Sequence, residues 1–289
     1  MRFLAIAFGV AACTGPRVTN DVTYDDRFGA QTTMDVYEPA DDTPTPRPAV
    51  LVIHGGSWRT PTKRSSMAAD AERLADAGYV AFNIDYRLVP DGGEFPHAVQ
   101  DCFCALAYIR AHAADWNIDP ARIAGMGYSA GGHLGSMLAV AAADPVIAPD
   151  CAAGTTGPLV AMVSGAGPQD MRLFPQVAAV TEFVGGTKAE VPERYIQASP
   201  ITHVVAGAPP FLMIHGTGDI VVNIEHSRDM RAALRAVGTD ARLLEIPGGG
   251  HLFNRDVDGG DYSLVTANES PEAWAATIDF LDRTIGPVR

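Results

Sequence analysis

From residue 22 onward, short apolar runs alternate with longer segments in which apolar residues recur at helical spacing. Ala49 to Ile53 reads Ala-Val-Leu-Val-Ile without a polar break, the pattern of a strand buried on both faces. Tyr79 to Ile84, Arg122 to Ala124, Leu159 to Val163, Phe211 to Ile214 and Arg242 to Ile246 are further strand-like runs. Helices are predicted around Ser65 to Ala77, from Phe95-Pro96 to near Ala113, from Leu134 to Ala143 and from Ala273 to Ile285. Gly78 suits the position after the first helix, and Pro96 is tolerated in the first turn of the second, which reads as long and amphipathic. Val22 to Tyr24 and Met34 to Tyr37, joined through a turn at Phe28-Gly29-Ala30, predict two short strands lying antiparallel at one edge. Strands alternating with helices predict an α/β fold, a mainly parallel eight-stranded sheet with helices on both faces. No repeat or low-complexity linker divides residues 22–289, which read as one domain. Within it, residues 168–208 hold short helical pieces broken by Pro175, Gly185-Gly186, Pro192 and Pro200. That stretch is expected to be a small lid insertion or a surface excursion.

The first residues follow another pattern. Met1-Arg2 precedes the apolar run Phe3 to Ala12, too short to span a bilayer, so residues 1–12 read as an export signal. Val10-Ala11-Ala12-Cys13 resembles the lipobox of bacterial lipoproteins. That resemblance implies cleavage before Cys13, a lipid on Cys13, a tether over residues 13–21, and an exported, membrane-anchored protein. An ordinary signal peptide with an incidental cysteine is the alternative. Composition adds little but excludes one class: 47% hydrophobic and 19% charged residues are those of a folded chain, and a net charge of −13 without any Lys/Arg-rich run excludes a nucleic-acid partner. Membrane contact is expected through the anchor alone.

Three other cysteines remain, Cys102, Cys104 and Cys151. Cys102 and Cys104 sit two apart in a predicted helix and point to different sides, so at most one of them pairs with Cys151, and which one is open. Three small buried apolar residues is the other reading. No cysteine or histidine spacing matches a metal site, and neither a metal nor an organic cofactor is expected.

Candidate chemistry gathers at strand ends, where open α/β sheets place their ligands. Gly127-Tyr128-Ser129-Ala130-Gly131 fits the Gly-x-Ser-x-Gly elbow, in which a sharp strand-to-helix turn presents a serine hydroxyl. A hydroxyl is a weak nucleophile at neutral pH, so Ser129 requires a base, an orienting acid and donors for a developing oxyanion. His251 follows the last strand in Pro247-Gly248-Gly249-Gly250-His251, where the glycines would let the loop bend toward the serine. Asp219, in His215-Gly216-Thr217-Gly218-Asp219, is the candidate acid; Glu225 and Asp229 fall inside the next helix and should face solvent. The backbone amides of Gly56, Ser57 and Ala130 are the candidate oxyanion donors, with Ser57 standing where the His-Gly-Gly-Gly pattern has its third glycine. His54 and His215 read as loop-bracing side chains. His97, His112 and His133 read as packed or solvated helix residues, His203 as part of the 168–208 stretch, and His226 as lying on a helix face.

Taken together, His54-Gly55-Gly56-Ser57-Trp58, Asp85-Tyr86-Arg87-Leu88, Phe95-Pro96 with Asp101, Asn117 to Ile123, Gly127 to His133 and His215 to Asp219 resemble the α/β-hydrolase carboxylesterases. The likeness is to the hormone-sensitive-lipase-like and bacterial acetyl- or feruloyl-esterase-like groups, over about residues 22–285. It implies the α/β-hydrolase fold and hydrolysis of short-chain acyl esters, including esters carried on carbohydrate, through an acyl-enzyme. An amidase, formamidase or peptidase on the same fold is one alternative, and a non-catalytic binding protein another. Tyr128 departs from the small polar residue frequent at that position in these groups and puts the seating of the acyl group in doubt. The long N-terminal cap of typical hormone-sensitive-lipase-like enzymes is missing before His54, which implies an open site.

Overall fold

The apolar runs become neighbouring strands of one sheet. The structure is a computed structural model that describes residues 15–61, 63–149, 151–154, 156–251, 253 and 270–286. The expected export signal and Cys13 lie outside the described residues. The strands are β1 (Arg17–Thr23), β2 (Thr33–Glu38), β3 (Arg47–Ile53), β4 (Val80–Ile84), β5 (Ile118–Tyr128), β6 (Met162–Gly165), β7 (Phe211–Gly216) and β8 (Ala241–Ile246). Their spatial order is β1-β2-β4-β3-β5-β6-β7-β8. β1 pairs antiparallel with β2 and β2 antiparallel with β4, while the other pairs are parallel. The expected antiparallel edge is therefore present. Its first strand begins at Arg17, inside the stretch read as tether, because Arg17, Val18 and Thr19 find ladder partners in Glu38, Tyr37 and Val36.

The helices are α1 (Ala68–Asp76), α2 (His97–Ala111), α3 (Ala130–Val140), α4 (Ala178–Val184), α5 (Pro192–Gln197), α6 (Glu225–Ala236) and α7 (Pro271–Thr284). Alternation along the central strands divides the core. Ala49, Leu51 and Ile53 of β3 join the cluster that holds residues of α2, α3 and α6; Val50 and Val52 join the one built with α1 and α7. Both faces of the sheet are thus covered, which is why β3 carries no polar break. α2 departs from an amphipathic surface helix: it is buried on several sides, from Ala98 and Val99 to Ile109. The sheet, α3 and the loop of Cys151 enclose it, the last through a disulfide between Cys104 and Cys151. Cys102 is the buried free thiol.

Residues 168–208 are anchored in the core by part of their side chains. Met171, Phe174, Val180, Phe183, Val184, Tyr195 and Ala198 are all buried in the cluster of α2, α3 and α6. Among the described residues no helix is long and apolar enough to cross a membrane.

Candidate active site

Ser129 sits at the turn from β5 into α3 with φ 53° and ψ −122°. Such a backbone is rare for a residue with a side chain and persists only where its surroundings hold it. Here the Ser129 amide donates to the Gly165 carbonyl at 2.8 Å and its carbonyl accepts from the His133 amide at 3.0 Å. The flanking glycines allow the approach, since a Cβ on Gly127 would lie 2.5 Å from the Gly131 backbone, and one on Gly131 would overlap the Ile53 carbonyl of β3.

The His251 Nε2 lies 2.9 Å from the Ser129 Oγ, and its Nδ1 lies 2.8 Å from the Asp219 Oδ2. The three side chains, separated by up to 122 residues in sequence, form one chain of hydrogen bonds. The Asp219 carboxylate is fully buried and His251 is 12% exposed, so the relay opens to solvent at its serine end. Asp219 Oδ1 accepts from the Val221 and Val222 amides at 2.8 and 2.9 Å. Burial pushes the Asp219 carboxyl up, but hydrogen bonds from His215 and His251, the nearby His251 charge and the Val222 amide outweigh it and hold the group well below the usual carboxylate range. An anionic acid in that position favours the imidazole tautomer with its proton on Nδ1, which leaves Nε2 able to accept a hydrogen bond from the Ser129 hydroxyl.

The glycine run before His251 does not leave its loop free to bend. The Gly218 amide donates to the Gly249 carbonyl at 2.9 Å, the Gly248 amide to Thr217 Oγ1 at 2.8 Å, and a Cβ on Gly216 would overlap the Gly249 carbonyl. The loops after β7 and β8 are zipped together, and the missing side chains let the two backbones touch. This contact sets the Asp219 to His251 spacing.

On the other side of Ser129, the stretch after β3 is folded tightly. Gly56, Ser57 and Trp58 have positive φ of 100°, 54° and 58°, and a Cβ on Gly55 would lie 3.4 Å from the Ser129 Cβ. Among the described residues the amides of Gly56, Ser57 and Ala130, on the turns that flank Ser129, meet no backbone acceptor outside the helices and strands. The Tyr86 hydroxyl donates to the His54 carbonyl at 3.0 Å while its ring stacks on His54 at 4.3 Å, and buried Lys63 holds the stretch after the loop against Asp85 at 2.7 Å. Trp58 stacks on Phe183 of α4 at 4.4 Å, and Arg59 pairs with Glu182 at 3.0 Å. The 168–208 stretch therefore buttresses this loop, a contact no local pattern announced.

Glu225 and Asp229 are exposed on α6, as their helical position implied. His54 is buried and bonds the Gly55 carbonyl at 2.7 Å. His133 is buried and bonds the Ala198 carbonyl at 2.8 Å; burial pushes its pKa down to about 4. His226 lies on α6 with its side chain buried; burial pushes it down to about 4, and its Nδ1 accepts from the Gln169 and Asp170 amides at 3.3 and 3.1 Å. His215 does more than brace a loop. Its Nε2 lies 3.1 Å from Asp219 Oδ2, the oxygen that also serves His251. The one available signal was that His215 and Asp219 share a pentapeptide at a strand end. Tyr128 packs in the cluster of α1 and α7, with its ring 5.8 Å from that of Phe253 and its path open only because residue 165 is glycine. Among the described residues no group of three or more His, Cys, Asp or Glu side chains is arranged to hold a metal ion.

A mainly parallel eight-stranded sheet with a serine, a histidine and an aspartate meeting at the carboxyl ends of its strands defines the α/β-hydrolase fold. The chain belongs to the BD-FAE family, whose model matches residues 34–234. It is similar to the esterase LipC of Mycobacterium tuberculosis (strain ATCC 25618 / H37Rv), at 34% identity over 76% of this chain and 57% of that protein. It is also similar to the probable carboxylic ester hydrolase LipM of the same organism, at 30% identity over 85% of this chain and 61% of that protein. The chain thus spans 57–61% of the length of these relatives. Among solved structures, a truncated form of a carbohydrate esterase from gut microbiota superposes with a TM-score of 0.82 at 25% identity, covering 96% of this chain and 99% of that one. The esterase Est2 of Thermogutta terrifontis superposes with a TM-score of 0.73 at 25% identity, covering 93% and 92%.

Proposed function

We propose that the chain is a serine carboxylesterase that hydrolyses short-chain acyl esters, including those carried on carbohydrate. The observation that carries this reading is the unbroken relay from Ser129 Oγ through His251 to buried Asp219, at 2.9 and 2.8 Å. Ser129 Oγ attacks the ester carbonyl carbon while His251 Nε2 takes its proton, and Asp219 stabilises the imidazolium that forms. The amides of Gly56, Ser57 and Ala130 receive the oxyanion, each worth roughly 3 kcal/mol in the transition state because it is fixed before charge develops. Collapse of this intermediate breaks the bond to the alcohol oxygen, which leaves with the proton from His251. Water, giving its proton to His251, then attacks the acyl carbon; collapse of this second intermediate breaks the bond to Ser129 Oγ, which takes the proton back from His251, and the carboxylic acid is released. The likeness to a carbohydrate esterase supports a carbohydrate-borne ester.

Ser129→Ala is expected to abolish turnover of p-nitrophenyl acetate and labelling by a fluorophosphonate probe, with unchanged circular dichroism. Retained activity in that variant overturns the reading. A matched panel of acetate esters, acetylated sugars and small amides then tests the preference for esters.

Export and lipid anchoring through Cys13 are supported by the apolar run before it and by the Cys104–Cys151 disulfide, which belongs to an oxidising compartment. Cys13→Ser is expected to move the protein from the membrane to the soluble fraction of expressing cells.

A further inference from the structure

Asp219 Oδ2 receives two imidazoles, His251 Nδ1 at 2.8 Å and His215 Nε2 at 3.1 Å. The protonation of His215 follows from its neighbours. Its Nε2 faces two acceptors, Asp219 Oδ2 and the Val222 carbonyl at 2.8 Å, so this nitrogen carries a proton. Its Nδ1 lies 2.7 Å from the Ser227 Oγ of α6, a hydroxyl able to donate to it. The ring is fully buried, and no step of the proposed reaction passes a proton through it.

We propose that His215 is a positioning residue for the catalytic acid: its Nε2–H holds the Asp219 oxygen that orients His251 and draws off part of that oxygen's charge. The inference rests on the esterase reading above. Oδ1 is fixed by the Val221 and Val222 amides, and among the described residues His215 is the group besides His251 that bonds Oδ2. A carboxylate that shares its charge with a second donor binds the His251 imidazolium less tightly than an unshared one. His215 thereby tunes the base as well as aiming it. Ser227 completes the device by locking the tautomer. Among the described residues the other titratable groups facing this cluster are His226 of α6, itself turned toward Asp170, and Glu245 of β8, which lies beside His215 in the sheet register and pairs with Arg228 at 2.7 Å.

The test is a kcat/KM pH profile for a p-nitrophenyl acyl ester on the wild type and on His215→Leu, His215→Gln and Ser227→Ala. His215→Leu is expected to lower kcat about tenfold and to move the midpoint of the acid limb upward by about 0.5 pH unit, since the carboxylate keeps more charge for the imidazolium. His215→Gln, whose amide restores a donor, is expected to recover both. Ser227→Ala should move the limb in the same direction by less, and it decides the matter if His215→Leu does not fold. A loss of kcat with an unmoved limb, in His215→Leu or in Ser227→Ala, overturns the proposal and leaves His215 a loop brace. Fluorophosphonate labelling of the wild type separates the two levels: an unlabelled wild type sinks the esterase reading, whereas a labelled wild type with unshifted variants sinks only the role of His215.

Discussion

Ser129 holds a backbone conformation that costs on the order of 1–3 kcal/mol, and its neighbours are chosen to keep it there. Gly131 is the most exacting of them, since an added Cβ would overlap the Ile53 and His54 carbonyls at the end of β3. Gly131→Ala is expected to lose about 1–3 kcal/mol in urea unfolding, the usual cost of overpacking. It should also lose roughly tenfold or more in kcat, because the displaced backbone is the start of the loop that carries the Gly56 and Ser57 amides. Wild-type kcat in a destabilised Gly131→Ala would separate the two effects and refute that link. At this scale Ser129, Asp219 and His251 were readable because each follows a strand within a motif whose residue types answer a chemical need. The contact of His215 with Asp219 was not, since a His-Gly pair at a strand end does not say which ring nitrogen meets which oxygen. The ring of Tyr128 packs in the α1 and α7 layer, a placement its position in the elbow motif did not announce.

Residues 168–208 show what an element adds to the site. Phe183 of α4 stacks on Trp58, meets His133 edge-on at 5.4 Å, and its carbonyl accepts from the Phe95 amide at 2.7 Å. Phe183→Ala is expected to cost about 3–5 kcal/mol in urea unfolding by opening a cavity in this aromatic stack. Its kcat should fall as well, through the Trp58 loop. Glu182→Gln, one residue away, removes only a half-exposed pair with Arg59, so it should change stability by less than about 1 kcal/mol. Equal effects of the two substitutions would mean that charge, not packing, holds α4 to the loop. Prolines and glycines marked this stretch as irregular in sequence, but not where it docks. Stacking between residues 58 and 183 is a non-local contact, and hydrophobic periodicity reports only that an aromatic side chain is buried.

Two buried carboxylates give the whole molecule opposing responses to pH. Asp219 is held below its ordinary range, so its contribution to stability is present above about pH 4 and is lost as the pH falls through its folded value. Asp70 of α1 is the reverse case. It is fully buried, neither oxygen has a hydrogen-bond partner among the described residues, and burial, only partly offset by the Arg73 charge, raises it from 3.8 to about 7. Between those values the folded state keeps a proton that the unfolded chain has released, so stability falls as pH rises and is flat above about pH 7. Three pH units of such linkage amount to about 4 kcal/mol. Asp70→Asn is therefore expected to match the wild type in urea unfolding near pH 4 and to exceed it by up to about 4 kcal/mol at pH 8. A gap of the same size at both pH values would show that Asp70 does not carry the proton.

The residue order alone determined the alternation of strands and helices, the two-sided burial of β3, the antiparallel edge and the succession of Ser129, Asp219 and His251. These are local or serial properties: apolar spacing reports which faces a segment buries, and turn residues report where it ends. Tertiary structure decided which cysteine meets Cys151, which imidazoles share Asp219, and that the glycines before His251 serve close packing of two loops rather than their freedom. Each of these depends on the distance between residues far apart in the chain, set by how eight strands stack side by side and where their ends converge.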